Sequence, residues 1–349
     1  MFFASDNTGP VHPKVLEAIA AANKGYTLPY GNDPITQTAR DNVREVFDAP
    51  EAEVFFVTTG AAANSLILAS WANPWSAIFC GRYAHIHDGE GNSPEAFSDG
   101  AKLTLVGAAE DKFTAAELDT SMSAWDPGHL NNAEPGPVSI TQVAEWGTIY
   151  TLDEIRAIAD VTHGHGQKLH MDGARFANAV VALGVSAAEM SWRAGVDAVT
   201  FGGTKNGLMG VETAVFFDPE KSWEFQRRRK RAAHLLSKSR YLAAQVSTYL
   251  ENDLWLELAT KANSSAARLC QGIAAFSDAT IAFPCQANLV FAWMPRRVHR
   301  GMIDAGVQYY IERGQLQGED PEELLLARFV CGCTTSIEDV DQFLDVLNN

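Results

Sequence analysis

The stretch Lys168-Leu169-His170-Met171-Asp172-Gly173-Ala174-Arg175 decides the fold. Lys168–Met171 reads as a short strand. A carboxylate, two small residues and a guanidinium follow where the chain leaves it. Ligands of open α/β sheets bind just outside the carboxyl ends of the strands, which puts Asp172 beside a ligand. Asp197–Phe201 repeats the arrangement and runs into Gly202-Gly203-Thr204-Lys205-Asn206-Gly207, so Lys205 lies 33 positions after Asp172 (205 − 172). Glycines on both sides of the lysine allow close backbone approach, and Lys205 is expected to project from the same sheet edge.

Outward from this core, Glu53–Thr58, Ala77–Gly81, Ala101–Val106 and Val211–Phe217 are further short apolar runs between helical patterns. That alternation predicts an α/β fold whose parallel sheet is covered by helices on both faces. T/S-x-x-E capping boxes at Thr114/Glu117, Thr151/Glu154 and Ser186/Glu189 mark helix starts. Pro13–Lys24 reads as a helix stopped by Gly25, and Lys221–Ile273 as helix with few breaks, long enough to connect two domains. Strand-like runs at Asn288–Trp293, Val307–Tyr310 and Leu326–Val330 precede a final helix capped by Ser336. The expected division is a large domain over 25–250 and a small α/β domain from 1–24 with 251–349.

The 349 residues carry a formal net charge of −16. Such a surface repels nucleic-acid phosphates and anionic membranes, so neither is an expected partner. Five cysteines (Cys80, Cys270, Cys285, Cys331, Cys333) are odd in number and lack paired CxxC spacing. They predict neither a disulfide framework nor a zinc site, and a reducing compartment. The N-terminus has no leader-like pattern and no apolar run reaches the roughly 18 residues of a membrane span, so the expectation is cytoplasmic.

The paired Lys205 and Asp172 are what pyridoxal 5'-phosphate (PLP) chemistry needs. A lysine amine forms the Schiff base, and a carboxylate keeps the pyridine nitrogen protonated so that the ring accepts electrons. The bland reading makes Asp172 a helix cap and Lys205 a solvated loop residue. Glu53–Thr58 runs into Thr59-Gly60-Ala61-Ala62-Ala63-Asn64, where small residues expose the first-turn amides of a helix to a phosphate. Thr204 offers a hydroxyl beside the lysine. His85-Ile86-His87 places an aromatic ring that can stack on the pyridine, while His163-Gly164-His165 reads as a polar turn remote from the site. No third ligand accompanies either histidine doublet, so no catalytic metal is expected. The run Arg227-Arg228-Arg229-Lys230-Arg231 reads as a solvated helix face; the alternative is that one or two members reach the phosphate, in a neighbouring subunit.

With these residues placed, the chain resembles the threonine aldolase/β-eliminating lyase family of fold-type-I PLP enzymes. The carriers are Ser5-Asp6-Asn7, Tyr30-Gly31-Asn32-Asp33-Pro34, Thr59–Asn64, Ala84-His85, His170–Arg175 and Thr204–Gly207. It is similar above all to the phenylserine-aldolase-like, low-specificity branch, through Ser139–Gln142, Gly147–Glu154 and Lys230-Arg231-Ala232 with Arg228 and His234. The resemblance implies a PLP-dependent-transferase-like large domain with a mostly parallel seven-stranded sheet, plus a small C-terminal α/β domain. It implies cleavage of L-β-hydroxy-α-amino acids (threonine, allo-threonine, phenylserine) to glycine and an aldehyde. It also implies a homodimer or homotetramer with shared active sites. Gly60 and Ala61 would bind phosphate through their amides, and His85 would stack on the ring. Arg175 would contact the cofactor oxygen or the substrate carboxylate. Arg328 would grip that carboxylate with Ser5 as helper, and Tyr30 would join the substrate site.

One departure concerns the general base. Where many relatives have a histidine in an Asn-Thr-His-Asn segment, this chain reads Gln142-Val143-Ala144-Glu145-Trp146, with Glu145 at the histidine's position. His85, Glu90 or a water is then the candidate base for the β-hydroxyl proton. Other PLP reactions, such as β-elimination or transamination, are the nearest alternative; a metal-dependent aldolase using His85 and His87 is the next.

Overall fold

The computed structural model describes residues 1–107, 111–125 and 128–348. Seven strands form the large sheet: β1 Glu53–Val57, β2 Ser76–Gly81, β3 Lys102–Val106, β4 Glu134–Thr141, β5 Leu169–Gly173, β6 Ala198–Gly202 and β7 Glu212–Phe216. Their order is β1-β7-β6-β5-β4-β2-β3. Only β7 runs against its neighbours β1 and β6; the other pairs are parallel. Strands β2, β5, β6 and β7 are buried along their whole length, as a sheet covered on both faces requires.

Six of these strands are the apolar runs of the sequence. The seventh, β4, begins Glu134-Pro135-Gly136-Pro137, which reads as a turn because proline and glycine leave strands or mark irregular pairing. The structure keeps them at such an irregularity, since the β2–β4 register shifts between Ala77 and Phe79. The three predicted capping boxes are all present. The stretch read as nearly continuous helix is instead three helices, Ser222–Arg231, Arg240–Leu250 and Leu254–Ala275. Positive φ at Ala233, Asn252 and Asp253 breaks them.

The small antiparallel sheet comprises β8 Thr280–Ile281, β9 Leu289–Pro295, β10 Tyr310–Arg313 and β11 Leu324–Val330, in the order β10-β11-β9-β8. The strand expected at Val307–Tyr310 lies later, because β10 is an edge strand with largely exposed residues and no apolar run to mark it. Val307 packs instead in the small core with Phe3, Phe329 and Phe343. Phe3 ties the N-terminal arm to this core. Its amide donates to Gln308 (2.7 Å), its carbonyl accepts from Val330 (2.8 Å), and its ring meets Phe343 edge-on at 5.1 Å.

The cysteine expectation needs one correction: Cys270 and Cys285 form a disulfide. One residue lies on the helix Leu254–Ala275 and the other on the segment returning to β9, which brings their Cα atoms to 6.6 Å. The spacing of 15 residues carries no paired-cysteine signature. Cys80, Cys331 and Cys333 are buried thiols. Among the described residues, no helix is long and apolar enough to cross a membrane.

Candidate active site

A cavity of about 550 Å³ opens at the carboxyl ends of β5 and β6 and is closed from the side by the N-terminal arm and the small sheet. Asp172 ends β5 and Lys205 sits in the 3-10 turn Thr204–Asn206 after β6; both line this one cavity. Gly202 makes the approach possible, because a Cβ there would fall 2.6 Å from the Ala174 carbonyl oxygen.

Asp172 is buried and held on both oxygens. Oδ1 accepts the Ala174 amide (3.0 Å) and Oδ2 accepts Asn64 Nδ2 (2.9 Å). Asn64 also donates to Glu90 Oε1 (2.8 Å), and the same oxygen meets His85 Nδ1 at 2.9 Å. A chain of hydrogen bonds therefore links His85, Glu90, Asn64 and Asp172. The Glu90 contact, working against partial burial, raises the His85 pKa. Gly89 leaves room for that ring, since a Cβ would lie 2.8 Å from it. His87 turns away to the Arg82 carbonyl at 3.0 Å.

Opposite lies the start of the helix Gly60–Trp71, where Thr59 Oγ1 caps the Ala62 amide at 3.2 Å. Gly60 and Ala61 line the cavity, as do Ser5, Thr204 and Arg328. Thr204 Oγ1 is buried without a hydrogen-bond partner. Arg328 contacts Glu312 at 3.5 Å and sits 5.9 Å from the Tyr310 ring.

Arg175 also reaches the cavity, but two of its nitrogens are engaged by Asp6. Nε donates at 2.7 Å and Nη2 at 3.1 Å, with both side chains nearly inaccessible. Burial alone would push Asp6 up; Arg175, Lys205 and the hydrogen bond from Asn288 bring its pKa below the usual value. Tyr30 is not brought to the cavity of its own chain. Its exposed ring lies 5.0 Å from the Lys230 ammonium.

The departure segment forms another wall. Glu145 and Trp146 line the cavity, and Asp111 fixes their loop by accepting the Trp146 amide (2.9 Å) and the Thr148 hydroxyl (2.7 Å). Burial raises the Asp111 pKa to about 6. Tyr83 meets Trp146 edge-on at 5.1 Å.

The basic run is not a uniformly solvated face, and none of its members lines this cavity. Arg229 is buried 5.2 Å from the Phe55 ring, and burial lowers its pKa to about 10. Arg228 binds the Phe97 carbonyl and Glu224. His163 and His165 pair with Asp197 and Asp119, outside the cavity.

Sequence reasoning assigned no role to Asn64, Asp6, Asp111 or Glu212. Two of them carry a signal that patterning reveals. Asn64 is a polar residue entering the otherwise small and apolar run of its helix, and Glu212 is an acid inside the apolar strand Val211–Phe217.

A profile described as Beta-eliminating lyase matches residues 3–295. The chain is similar to the low specificity L-threonine aldolase of Pseudomonas aeruginosa, 38% identical over 97% of this chain and 94% of the relative. A second low specificity L-threonine aldolase, from a Pseudomonas species, is 37% identical over 88% of each chain. The solved threonine aldolase of Leishmania major superposes with a TM-score of 0.92 at 24% identity, covering 99% of this chain and 98% of that one. That last likeness speaks to the fold.

Proposed function

The chain belongs to the β-eliminating lyase family, and from that premise we propose that it is a PLP-dependent aldehyde-lyase. It cleaves L-β-hydroxy-α-amino acids of the threonine, allo-threonine and phenylserine type to glycine and an aldehyde. The observation that carries this reading is Lys205 and Asp172 meeting across one cavity that Arg328 also lines.

The residues present fit PLP. Thr204 Oγ1 is an orphaned buried hydroxyl, and a Cβ at Gly60 would meet nothing within 4 Å, leaving an open cradle at a helix start. A volume near 550 Å³ is in the range of roughly 300–1,000 Å³ usual for small-molecule sites. Lys205 would hold the group by its Schiff base, Asp172 at the ring nitrogen, and His85 against the ring. The Gly60 and Ala61 amides, with Thr204, would hold the phosphate. When bound, PLP supplies the electron sink for charge developing at the substrate α-carbon.

The rest is done by the chain. The Arg328 fork, with Ser5 beside it, takes the substrate carboxylate and so fixes which bond stands perpendicular to the ring. Glu90 keeps His85 Nδ1 occupied, which leaves Nε2 to take the β-hydroxyl proton. Glu90 lines the cavity too, but its side chain is buried and its Oε1 is bonded to both His85 and Asn64, so it orients the base. Arg175, tied to Asp6, presents only Nη1.

The two-domain division, 25–250 against 1–24 with 251–349, is part of this proposal. So are a cytoplasmic location and a homodimer or homotetramer with shared sites. Exposed Tyr26, Leu28 and Tyr30 support the assembly, since large apolar side chains at alternate positions in solvent suit cover by a second copy. The test is release of glycine from phenylserine, threonine and allo-threonine by the wild type and by Lys205→Ala. The reading expects release that the variant abolishes; no glycine from any of the three overturns it.

A further inference from the structure

Strand β7 is the one antiparallel member of the large sheet, and it carries an acid where its neighbours carry apolar residues. Glu212 pairs with Gly202 of β6 on one side and Val57 of β1 on the other. It is 6% exposed, yet its carboxylate lines the same cavity as Lys205. One oxygen accepts the Gly203 amide at 3.1 Å, and the other approaches the Thr204 amide at 3.4 Å. These are the two amides just before Lys205.

A buried carboxylate is costly unless it is hydrogen-bonded and matched by a cation. Asp6, another acid that feels the Lys205 charge, has Arg175 as its counter-ion. Glu212 has no ion pair among the described residues. The one cation whose charge acts on it is Lys205; the other ionisable group it faces is Tyr249, from the helix Arg240–Leu250. Burial first, against the Thr204 side chain, then the Lys205 charge and the two amides, raises the Glu212 pKa to about 7.

We propose that Glu212 is a positioning residue with two separable actions on Lys205. Its oxygens clamp the turn that presents the lysine, and its negative charge holds a proton on the lysine nitrogen when that nitrogen is bound to the cofactor. The inference rests on the PLP reading above. It assigns to β7 a task that strand direction makes possible: running antiparallel, β7 starts at the active-site edge, so its first residue points where its neighbours' last residues do.

Two variants separate the actions. Glu212→Gln keeps an acceptor and loses the charge; Glu212→Asp keeps the charge and loses reach. Visible absorbance of each holoenzyme is titrated with pH, and cofactor release into a scavenger of free PLP is timed. Glu212→Gln is expected to lower the pH midpoint of the absorbance change by about one unit, tenfold in the ionisation constant. Glu212→Asp is expected to keep the midpoint within a few tenths of a unit and to release cofactor several-fold faster. A purely structural role would quicken release in both and move neither midpoint. If either variant does not fold, infrared difference spectra of the unaltered holoenzyme decide: a carboxylate stretching band assigned by labelled glutamate must shift across the chromophore's titration. An unmoved midpoint in Glu212→Gln, or a carboxylate band that does not shift, overturns the proposal. A wild type with no borohydride-bleached chromophore overturns the PLP reading instead.

Discussion

Replacing Asp6 with alanine removes the counter-ion of an arginine that water cannot reach. The Arg175 and Asp6 side chains are 4% and 1% exposed, and two hydrogen bonds of 2.7 and 3.1 Å join them. Breaking a buried pair by deleting one partner costs about 3–5 kcal/mol, because the remaining charge stays desolvated. Asn288 Nδ2 loses its 3.1 Å bond to Asp6 as well, though it keeps the Cys331 carbonyl. That loss is a large part of a margin of roughly 5–15 kcal/mol. The assay is urea unfolding of the cofactor-free protein with a double-mutant cycle. Asp6→Ala should lose about 3–5 kcal/mol, and Asp6→Ala with Arg175→Met should recover part of it. The pH dependence follows from the lowered Asp6 pKa. Its contribution is present above the unfolded value of 3.8 and is lost as pH falls through the lower folded value. The variants therefore converge only in strong acid. A loss under about 1 kcal/mol, or no coupling in the cycle, would refute the reasoning.

Four further outcomes are expected. Arg328→Lys should raise KM for the amino acid about tenfold with little change in thermal midpoint, since a fork is exchanged for a point charge; steady-state kinetics with thermal melts check it. Asn64→Leu leaves Glu90 and Asp172 without their shared donor and should weaken cofactor binding at least about tenfold, measured by equilibrium titration. The raised Glu212 pKa makes the folded state hold an extra proton between pH 4.5 and about 7. The cofactor-free protein should lose about 3 kcal/mol as pH rises through that window, a fall that the Glu212→Gln protein lacks when unfolding is followed against pH. Glu145 has no hydrogen-bond or ion-pair partner among the described residues, so its open charge should repel substrates with an anionic side chain. Competition assays should show Glu145→Gln gaining on β-hydroxyaspartate relative to phenylserine by about tenfold.

What the sequence made legible follows from what pattern reports. Apolar runs between capping boxes mark buried parallel strands, because burial on both faces leaves no alternation to confuse them; Lys168–Met171 and Asp197–Phe201 were readable for that reason. Strand β4 was hidden because Pro135, Gly136 and Pro137 look like a turn until Ala77 is placed beside them. Strand β10 was displaced because an edge strand has little apolar face. The disulfide partners meet only after the helix Leu254–Ala275 and the return to β9 are packed. Tyr30 belongs to the family motif, yet it stands outside the cavity of its own chain, where one sequence cannot say which chain it serves.

The same distinction governs the site. Lys205 and Asp172 could be found from the chemistry proposed for them, since that chemistry restricts residue type; Arg328 was found through the family resemblance. Asn64, Asp6 and Glu212 act by closing buried charges, and any of several residues placed anywhere in the chain could close them. Asp6 comes from the N-terminal arm, 169 positions from Arg175, and Asn64 lies 108 positions from Asp172. A chain with net charge −16 has acids to spare for such duties. Its difficulty is to hold several carboxylates around a cavity that must also admit a phosphate and a substrate carboxylate. Asp6 meets this with Arg175, Asp172 and Glu90 by sharing one asparagine, and Glu212 with backbone amides. None of these solutions takes a hydrogen bond from Lys205 or Arg328, and each is a property of the folded neighbourhood that spacing along the chain does not record.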